Sequence, residues 1–337
     1  MKEAMFYRPL EENRVHCFLC SQHCRIEPGE TGQCGVRQNR DGKLWSLVYG
    51  KLVAQSVDPI EKKPLFHYHP GTTSYSIATA GCNFRCLFCQ NADISQSPRE
   101  QGRIYGRDVR ADAVAGQAVE RGCATVSYTY TEPTVFMEYA LDAAAGAKER
   151  GLGNVFVTNG YMSREALDAA APVLGAANVD LKSFRDDFYR EQCGARLKPV
   201  LATIEAMREL GIWVEVTTLV VTGLNDSERE LRDIAEFLAG VDPDIPWHVS
   251  RFHPTYRLTD RGPTPVETVR RAREIGLDAG LHYVYTGNLP GDAGENTYCP
   301  SCGTVVIGRV GYSIRMQHVK DGTCTACGAK IAGVGIG

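Results

Sequence analysis

Seven short runs of apolar, β-branched residues recur through the middle of this 337-residue chain, at Thr73 to Thr79, Ala124 to Tyr130, Asn154 to Thr158, Asn178 to Leu181, Val214 to Val221, Trp247 to Phe252 and Tyr283 to Tyr285. Between most of them lie helical patterns: Ala111 to Arg121, Thr134 to Arg150, Arg164 to Leu174, Pro199 to Leu210, Glu228 to Ala239 and Pro265 to Ala279. Strands that alternate with helices of 10–15 residues imply right-handed βαβ units and a parallel sheet. About six such repeats predict an α/β fold, a partial (β/α)6 barrel of the TIM type. The boundaries carry supporting chemistry. Ser227-x-x-Glu230 reads as a capping box, Thr264 as an N-cap before Pro265 and Glu267, and Gly151, Gly211 and Gly280 follow helix ends.

In such barrels chemistry gathers at the C-terminal ends of the strands. Polar residues recur there: Tyr128-Thr129-Tyr130-Thr131-Glu132-Pro133, Thr158-Asn159-Gly160, Asp180-Leu181-Lys182-Ser183, Glu215-Val216-Thr217-Thr218 and Arg251-Phe252-His253-Pro254. The first strand runs into Gly81-Cys82-Asn83-Phe84-Arg85-Cys86-Leu87-Phe88-Cys89-Gln90-Asn91. The C-x3-C-x2-C spacing of Cys82, Cys86 and Cys89 offers three thiolates to a [4Fe-4S] cube and leaves one iron open. An open iron can chelate S-adenosylmethionine (SAM), and one electron then breaks its S–C5′ bond to give a 5′-deoxyadenosyl radical. The competing reading is a zinc knuckle with a distant fourth ligand, although zinc favours C-x2-C pairs and a closed set of four.

The chain has 13 cysteines, and in a reducing compartment close spacings mean metal, not disulfides. Cys17, Cys20, Cys24 and Cys34 fall in a loop-rich stretch too short for much core, so a bound metal is the expected staple. Four thiolates suit zinc first, with an auxiliary iron-sulfur cluster as the rival. His16 and His23 beside them read as bystanders. Cys299-x2-Cys302-Gly303 and Cys324-x2-Cys327-Gly328 bracket a hairpin-like Val305 to Val319, a zinc-ribbon pattern for which a rubredoxin-like iron is the alternative. Cys123 reads as a buried small hydrophobe, and Cys193 shows no activating partner. Asp58-Pro59-Ile60-Glu61-Lys62-Lys63-Pro64 contains two prolines and reads as a connector whose lysine pair is a solvated linker or reaches a substrate carboxylate or phosphate. The expected division is a four-cysteine module at 1–50, a connector at 51–72, the barrel at 73–294 and the ribbon at 295–337.

Apolar content of 43% and charged content of 23% are ordinary for a globular chain. The net charge of −3 gives no basic footprint and argues against a nucleic-acid partner. No apolar run has the length of a membrane span. The first residues carry Lys2, Glu3, Arg8, Glu11, Glu12 and Arg14 where a signal peptide needs an apolar centre, so a cytoplasmic location is expected.

These blocks together resemble the radical SAM superfamily, its pyruvate formate-lyase activating branch and, more closely, the radical SAM enzyme of the AmmeMemoRadiSam system. The likeness runs through the N-terminal cysteines, Asp58 to Leu65, Gly81 to Asn91, Tyr128 to Pro133, Val179 to Lys182, Thr217-Thr218-Leu219, Phe252-His253-Pro254 and Gly287-Asn288-Leu289-Pro290. The resemblance implies a [4Fe-4S] cluster on Cys82, Cys86 and Cys89, and SAM against Phe88 and Gln90. It aligns Tyr130-Thr131-Glu132 with the superfamily's Gly-Gly-Glu; Glu132 keeps the acceptor for the SAM amino group, while the missing glycines put the backbone approach in doubt. It places Lys182, in Asp180-x-Lys182, against the SAM carboxylate, and Asn159, Thr217 and His253 along the ribose or adenine. It also implies a reducing partner such as ferredoxin or flavodoxin, and Memo-like and AMMECR-like proteins beside it, with a small-molecule or protein substrate. Two alternatives stand against this reading. One is activation of a glycyl-radical enzyme; the other is a non-enzymatic metal carrier or scaffold, which has no use for Glu132, Asp180 and Lys182.

Overall fold

The computed structural model describes all residues, Met1–Gly337. Its centre is an eight-stranded sheet built from β1 (Ala54–Pro59), β2 (Thr73–Ala78), β3 (Thr125–Tyr128), β4 (Gly153–Thr158), β5 (Ala176–Asp180), β6 (Trp213–Val220), β7 (Trp247–Arg251) and β8 (Val284–Gly287). The strands lie in sequence order from β1 to β8. Those from β2 to β8 are parallel, and β1 pairs antiparallel with β2, from Ala54 opposite Ala78 to Pro59 opposite Thr73. Six helices return the chain between the parallel strands: α1 (Ala111–Glu120), α2 (Met137–Glu149), α3 (Arg164–Ala170), α4 (Leu197–Glu209), α5 (Glu228–Val241) and α6 (Val266–Asp278). The result is the expected α/β partial barrel, open because the two edge strands do not meet.

Several local readings change. Ala54–Pro59 is not connector but the edge strand β1; Pro59 ends it, where a missing N–H costs no ladder bond. Thr264 does not cap α6. Its hydroxyl bonds the Val220 carbonyl and accepts the Phe252 N–H, and Pro265 stands at the cap without a side-chain bond. The Ser227 cap is real, accepting the Glu230 N–H at 3.3 Å, but the Glu230 carboxylate does not reach back. It turns to Ser183 and the Phe184 N–H beyond β5. Helix α5 otherwise follows its pattern, burying Leu231, Ile234, Ala235 and Leu238 at helical spacing.

Two small antiparallel sheets occupy the N-terminal residues, one of Tyr7–Pro9, Val15–Cys17 and Arg25–Ile26, the other of Lys2–Glu3, Lys43–Ser46 and Arg37–Arg40. Their anchor to the barrel is a buried ion pair: Arg37 Nη1 lies 2.9 and 3.1 Å from the two carboxylate oxygens of Glu138 on α2. At the other terminus Thr297–Tyr298, Val305–Val310 and Ser313–Gln317 form a three-stranded sheet. Arg309 ties it beneath the barrel, donating to the Phe66 carbonyl at 2.9 Å and lying 4.2 Å over the Phe66 ring. Glu215 lies in that lower region, near the start of β6. It accepts from the N–H groups of Phe66 and His67 and pairs with His248 at 2.7 Å. It is therefore not at a strand tip, as its place in the sequence suggested. No helix is long and apolar enough to cross a membrane.

Candidate active site

The loop from Gly81 to Asn91 leaves β2 at the C-terminal edge of the sheet and wraps three thiols into the fold. Cys86 is buried, Cys82 and Cys89 partly so. Gly81 has φ +101°, and a Cβ there would lie 2.6 Å from Val36, so only glycine lets the N-terminal sheets press this close to the loop. On its other side the loop adds to the turn Tyr189–Cys193: Arg85 and Leu87 donate N–H bonds to the carbonyls of Cys193 and Gln192, each at 2.9 Å.

Donors already point at the sulfurs. The Phe84 N–H reaches Cys82 Sγ at 3.3 Å and Asn159 Nδ2 reaches it at 3.8 Å, while Ser95 Oγ lies 3.3 Å from Cys89 Sγ. Such contacts suit thiolate ligands, which accept but do not donate. The sulfurs of Cys82, Cys86 and Cys89 are not drawn together as the C-terminal quartet is; there all four lie within 4.8 Å of one another, with Cys299 and Cys327 at 3.6 Å and Cys302 and Cys324 at 3.9 Å. Thiolates on different corners of a cube are held apart by an iron–iron edge, so the looser trio fits a cluster and the tight quartet fits a single ion.

Tyr130 answers the question of the missing glycines. It takes φ +64°, the left-handed backbone that glycine adopts without penalty, so the turn is kept with a side chain on it. Its carbonyl accepts Asn91 Nδ2 at 2.8 Å, and Thr131 Oγ1 donates to the Thr79 carbonyl at 2.8 Å. The Tyr130 phenol donates to Asp58, which also receives Lys63 at 2.6 Å and Lys62 at 2.9 Å. The lysine pair is thus committed to Asp58, not free for a substrate. Burial pushes the Asp58 carboxyl up, but the bonds from Lys63, Tyr130 and Lys62 outweigh it and hold the group well below the usual range. Burial pulls Lys63 down to about 8.

Glu132 is buried, and the chain's own donors occupy it. One oxygen accepts the Thr134 N–H, the Thr134 hydroxyl and the Thr158 hydroxyl; the other accepts the Asn159 N–H at 2.8 Å. It knots the tips of β3 and β4 together. Burial raises its pKa despite these bonds. Asn159 extends the knot, giving Nδ2 to Asn83 Oδ1 at 2.8 Å as well as to Cys82.

Across the mouth, Lys182 pairs with Asp180 at 2.9 Å and lies 5.9 Å over the Phe88 ring. Burial pulls its ammonium down, but Asp180, Cys86 and Cys193 more than compensate and hold it well above its usual value. Cys193, read as having no activating partner, is fully buried against the Cys86 thiol, a proximity that 107 residues of sequence conceal. Thr217 pairs in register with Asp180 but points its hydroxyl at Asn178 Oδ1, 2.9 Å away. Gln90 and His253 are exposed, at the loop's end and beyond β7. The fold therefore gathers the three cysteines, Phe88, Tyr130, Thr131, Glu132, Asn159, Asp180 and Lys182 at one end of the sheet. Asp58, Asn83 and Ser95 join them without having been assigned a role; Asp58 and Asn83 stood in blocks that sequence reading had singled out, and Ser95 did not.

A model of the radical SAM superfamily matches residues 76–238. Over 334 residues the chain is 46% identical to an uncharacterized protein of Methanocaldococcus jannaschii, covering 98% of this chain and 99% of that one. It is 24% identical to the pyruvate formate-lyase-activating enzyme of Streptococcus mutans over 166 residues, 47% of this chain and 63% of that enzyme. A solved radical SAM methyltransferase from Sphaerobacter thermophilus superposes with a TM-score of 0.51 at 17% identity, over 68% of this chain and 71% of that one, a likeness of fold. The chain belongs to the radical SAM superfamily and is an enzyme, of a family whose chemistry rests on a [4Fe-4S] cluster, SAM and a reductant.

Proposed function

We propose that this enzyme cleaves SAM reductively at a [4Fe-4S] cluster held by Cys82, Cys86 and Cys89, as in the AmmeMemoRadiSam system, to act on a small-molecule or protein substrate. The observation that carries this reading is the loop that brings Cys82, Cys86 and Cys89 to the C-terminal edge of a parallel sheet, with Lys182 paired to Asp180 and 5.9 Å over the ring of Phe88 in that loop. When bound, the cluster supplies one electron to the SAM sulfonium and so a 5′-deoxyadenosyl radical. The rest falls to the chain's own side chains. Lys182, steadied by Asp180, meets the SAM carboxylate in a charge-assisted contact. The Tyr130-Thr131 backbone and the Glu132 oxygen that takes only the Asn159 N–H receive the amino group. Phe88 and Asn159 would line the nucleoside, with Gln90, Thr217 and His253 joining them as the resemblance implies.

The N-terminal four-cysteine module at 1–50 and the ribbon at 295–337, additions that a minimal activase lacks, favour the AmmeMemoRadiSam reading and with it Memo-like and AMMECR-like partners. Reduced ferredoxin or flavodoxin is the donor class. Zinc is the ion proposed for Cys299, Cys302, Cys324 and Cys327, because four thiolates about 2.3 Å from one ion stand about 3.8 Å apart, and paired sulfurs here lie at 3.6 and 3.9 Å. The similarity to a pyruvate formate-lyase-activating enzyme supports a second reading, hydrogen abstraction from a glycine of a partner enzyme. The test is anaerobic incubation of the reduced protein with SAM. Release of 5′-deoxyadenosine and methionine in equal amounts, abolished in Cys86→Ala, is expected; equal release by that variant would overturn the proposal.

A further inference from the structure

The N-terminal cysteines Cys17, Cys20, Cys24 and Cys34 line one small enclosed cavity together with Arg37 and Asn83. We infer that this cavity holds a second [4Fe-4S] cluster, ligated by all four cysteines, rather than the single zinc ion that their number first suggests.

Spacing is the first argument. Around one zinc, four thiolates at about 2.3 Å are forced to within about 4 Å of each other. The C-terminal quartet meets that condition, with every sulfur within 4.8 Å of the rest; in the N-terminal quartet no three sulfurs do. All four nonetheless line the same small cavity. Sulfurs set apart around one cavity are what separate corners of a cube require, and Cys82, Cys86 and Cys89 likewise fall outside the single-ion condition.

The second argument comes from donors left idle. Arg37 Nε and Asn83 Nδ2 are buried without any acceptor, although each of these residues is only 1% exposed and the rest of its polar atoms are engaged. An unpaired buried donor costs about 1–3 kcal/mol, and two in the wall of one cavity point to acceptors that belong inside it. A cube brings sulfides of its own as well as thiolates, and both accept hydrogen bonds. Asn83 also joins this wall to the active site, since its side-chain oxygen takes Asn159 Nδ2 and lies 3.9 Å from Cys82 Sγ. The two sites thus share a single residue as partition.

Iron, acid-labile sulfide and zinc counts on anaerobically purified and reconstituted full-length protein test the inference. About eight iron and eight sulfide with about one zinc per chain are expected. In the triple variant Cys82→Ala/Cys86→Ala/Cys89→Ala about four iron should remain, with the electron paramagnetic resonance of a reduced [4Fe-4S] cluster that added SAM leaves unchanged. Cys20→Ala/Cys34→Ala should remove the complementary four. A triple variant with no iron and two zinc overturns the inference while leaving the active-site reading intact. A triple variant with as much iron as the wild type sinks the active-site reading instead, so the two failures are distinct.

Discussion

Replacing Asp58 with alanine tests how the Tyr130 turn is held. The Asp58 and Lys63 side chains are 5% and 1% exposed, and their charges meet at 2.6 Å. Removing one partner of a buried pair costs about 3–5 kcal/mol, because the other charge is left without compensation. Lys62 adds little, being 42% exposed and screened by solvent. Unfolding entropy near 2.1 cal/mol/K per residue gives roughly 0.7 kcal/mol/K for a chain of this length, so Asp58→Ala should lower Tm by roughly 4–7 °C. The double variant Asp58→Ala/Lys63→Met removes the stranded ammonium and should recover at least half of that loss, leaving mainly the missing Tyr130 hydrogen bond. Because the folded carboxyl is held below the ordinary value of about 3.9, its contribution is present above about pH 4 and is lost as the pH falls through the folded value. Differential scanning calorimetry of the three proteins reads the outcome. An unchanged Tm in Asp58→Ala, or no recovery in the double variant, would refute the clamp. Loss of the clamp should also weaken SAM binding, since the left-handed Tyr130 backbone loses its anchor.

Further outcomes are expected. Glu132→Gln puts an amide N–H2 among four donors and should destabilise by about 3 kcal/mol in denaturant unfolding; a change under about 1 kcal/mol would mean that the strand tips are held otherwise. Cys193→Ala should keep the active-site iron and SAM cleavage, because three thiolates suffice; loss of that iron from a folded variant would make Cys193 a ligand. Cys302→Ala should lower Tm and release zinc while keeping the brown absorbance of the cluster; bleaching in a folded variant would contradict the separation of the two sites.

The alternation of strand and helix was legible because buried parallel strands and amphipathic helices leave different periods in sequence, and the positions that gather at the mouth follow from strand polarity alone. What escaped was set by contacts distant in the chain. Edge strand β1 hid behind Pro59, which an edge tolerates and a central strand does not. Thr264 matched a capping pattern, but a buried carbonyl of Val220 competed for its hydroxyl and won. Glu230 likewise left its helix for the backbone beyond β5. The placement of Cys193 against Cys86, and of Arg37 against Glu138, could not be read from spacing, because each pair spans about a hundred residues and packs only when the barrel has formed. Tyr130 was the least legible, since a tyrosine gives no sign that tertiary bonds will hold it where glycine is expected.

The central claim is an iron left open by three cysteines at the mouth of the barrel. Its most direct measurement is electron paramagnetic resonance of the reduced Cys20→Ala/Cys34→Ala protein, in which the active-site cluster stands alone, before and after SAM is added. Direct ligation predicts a changed spectrum, with hyperfine coupling from 17O- or 15N-labelled SAM carboxylate and amine. A reduced cluster whose spectrum is identical with and without SAM would contradict it.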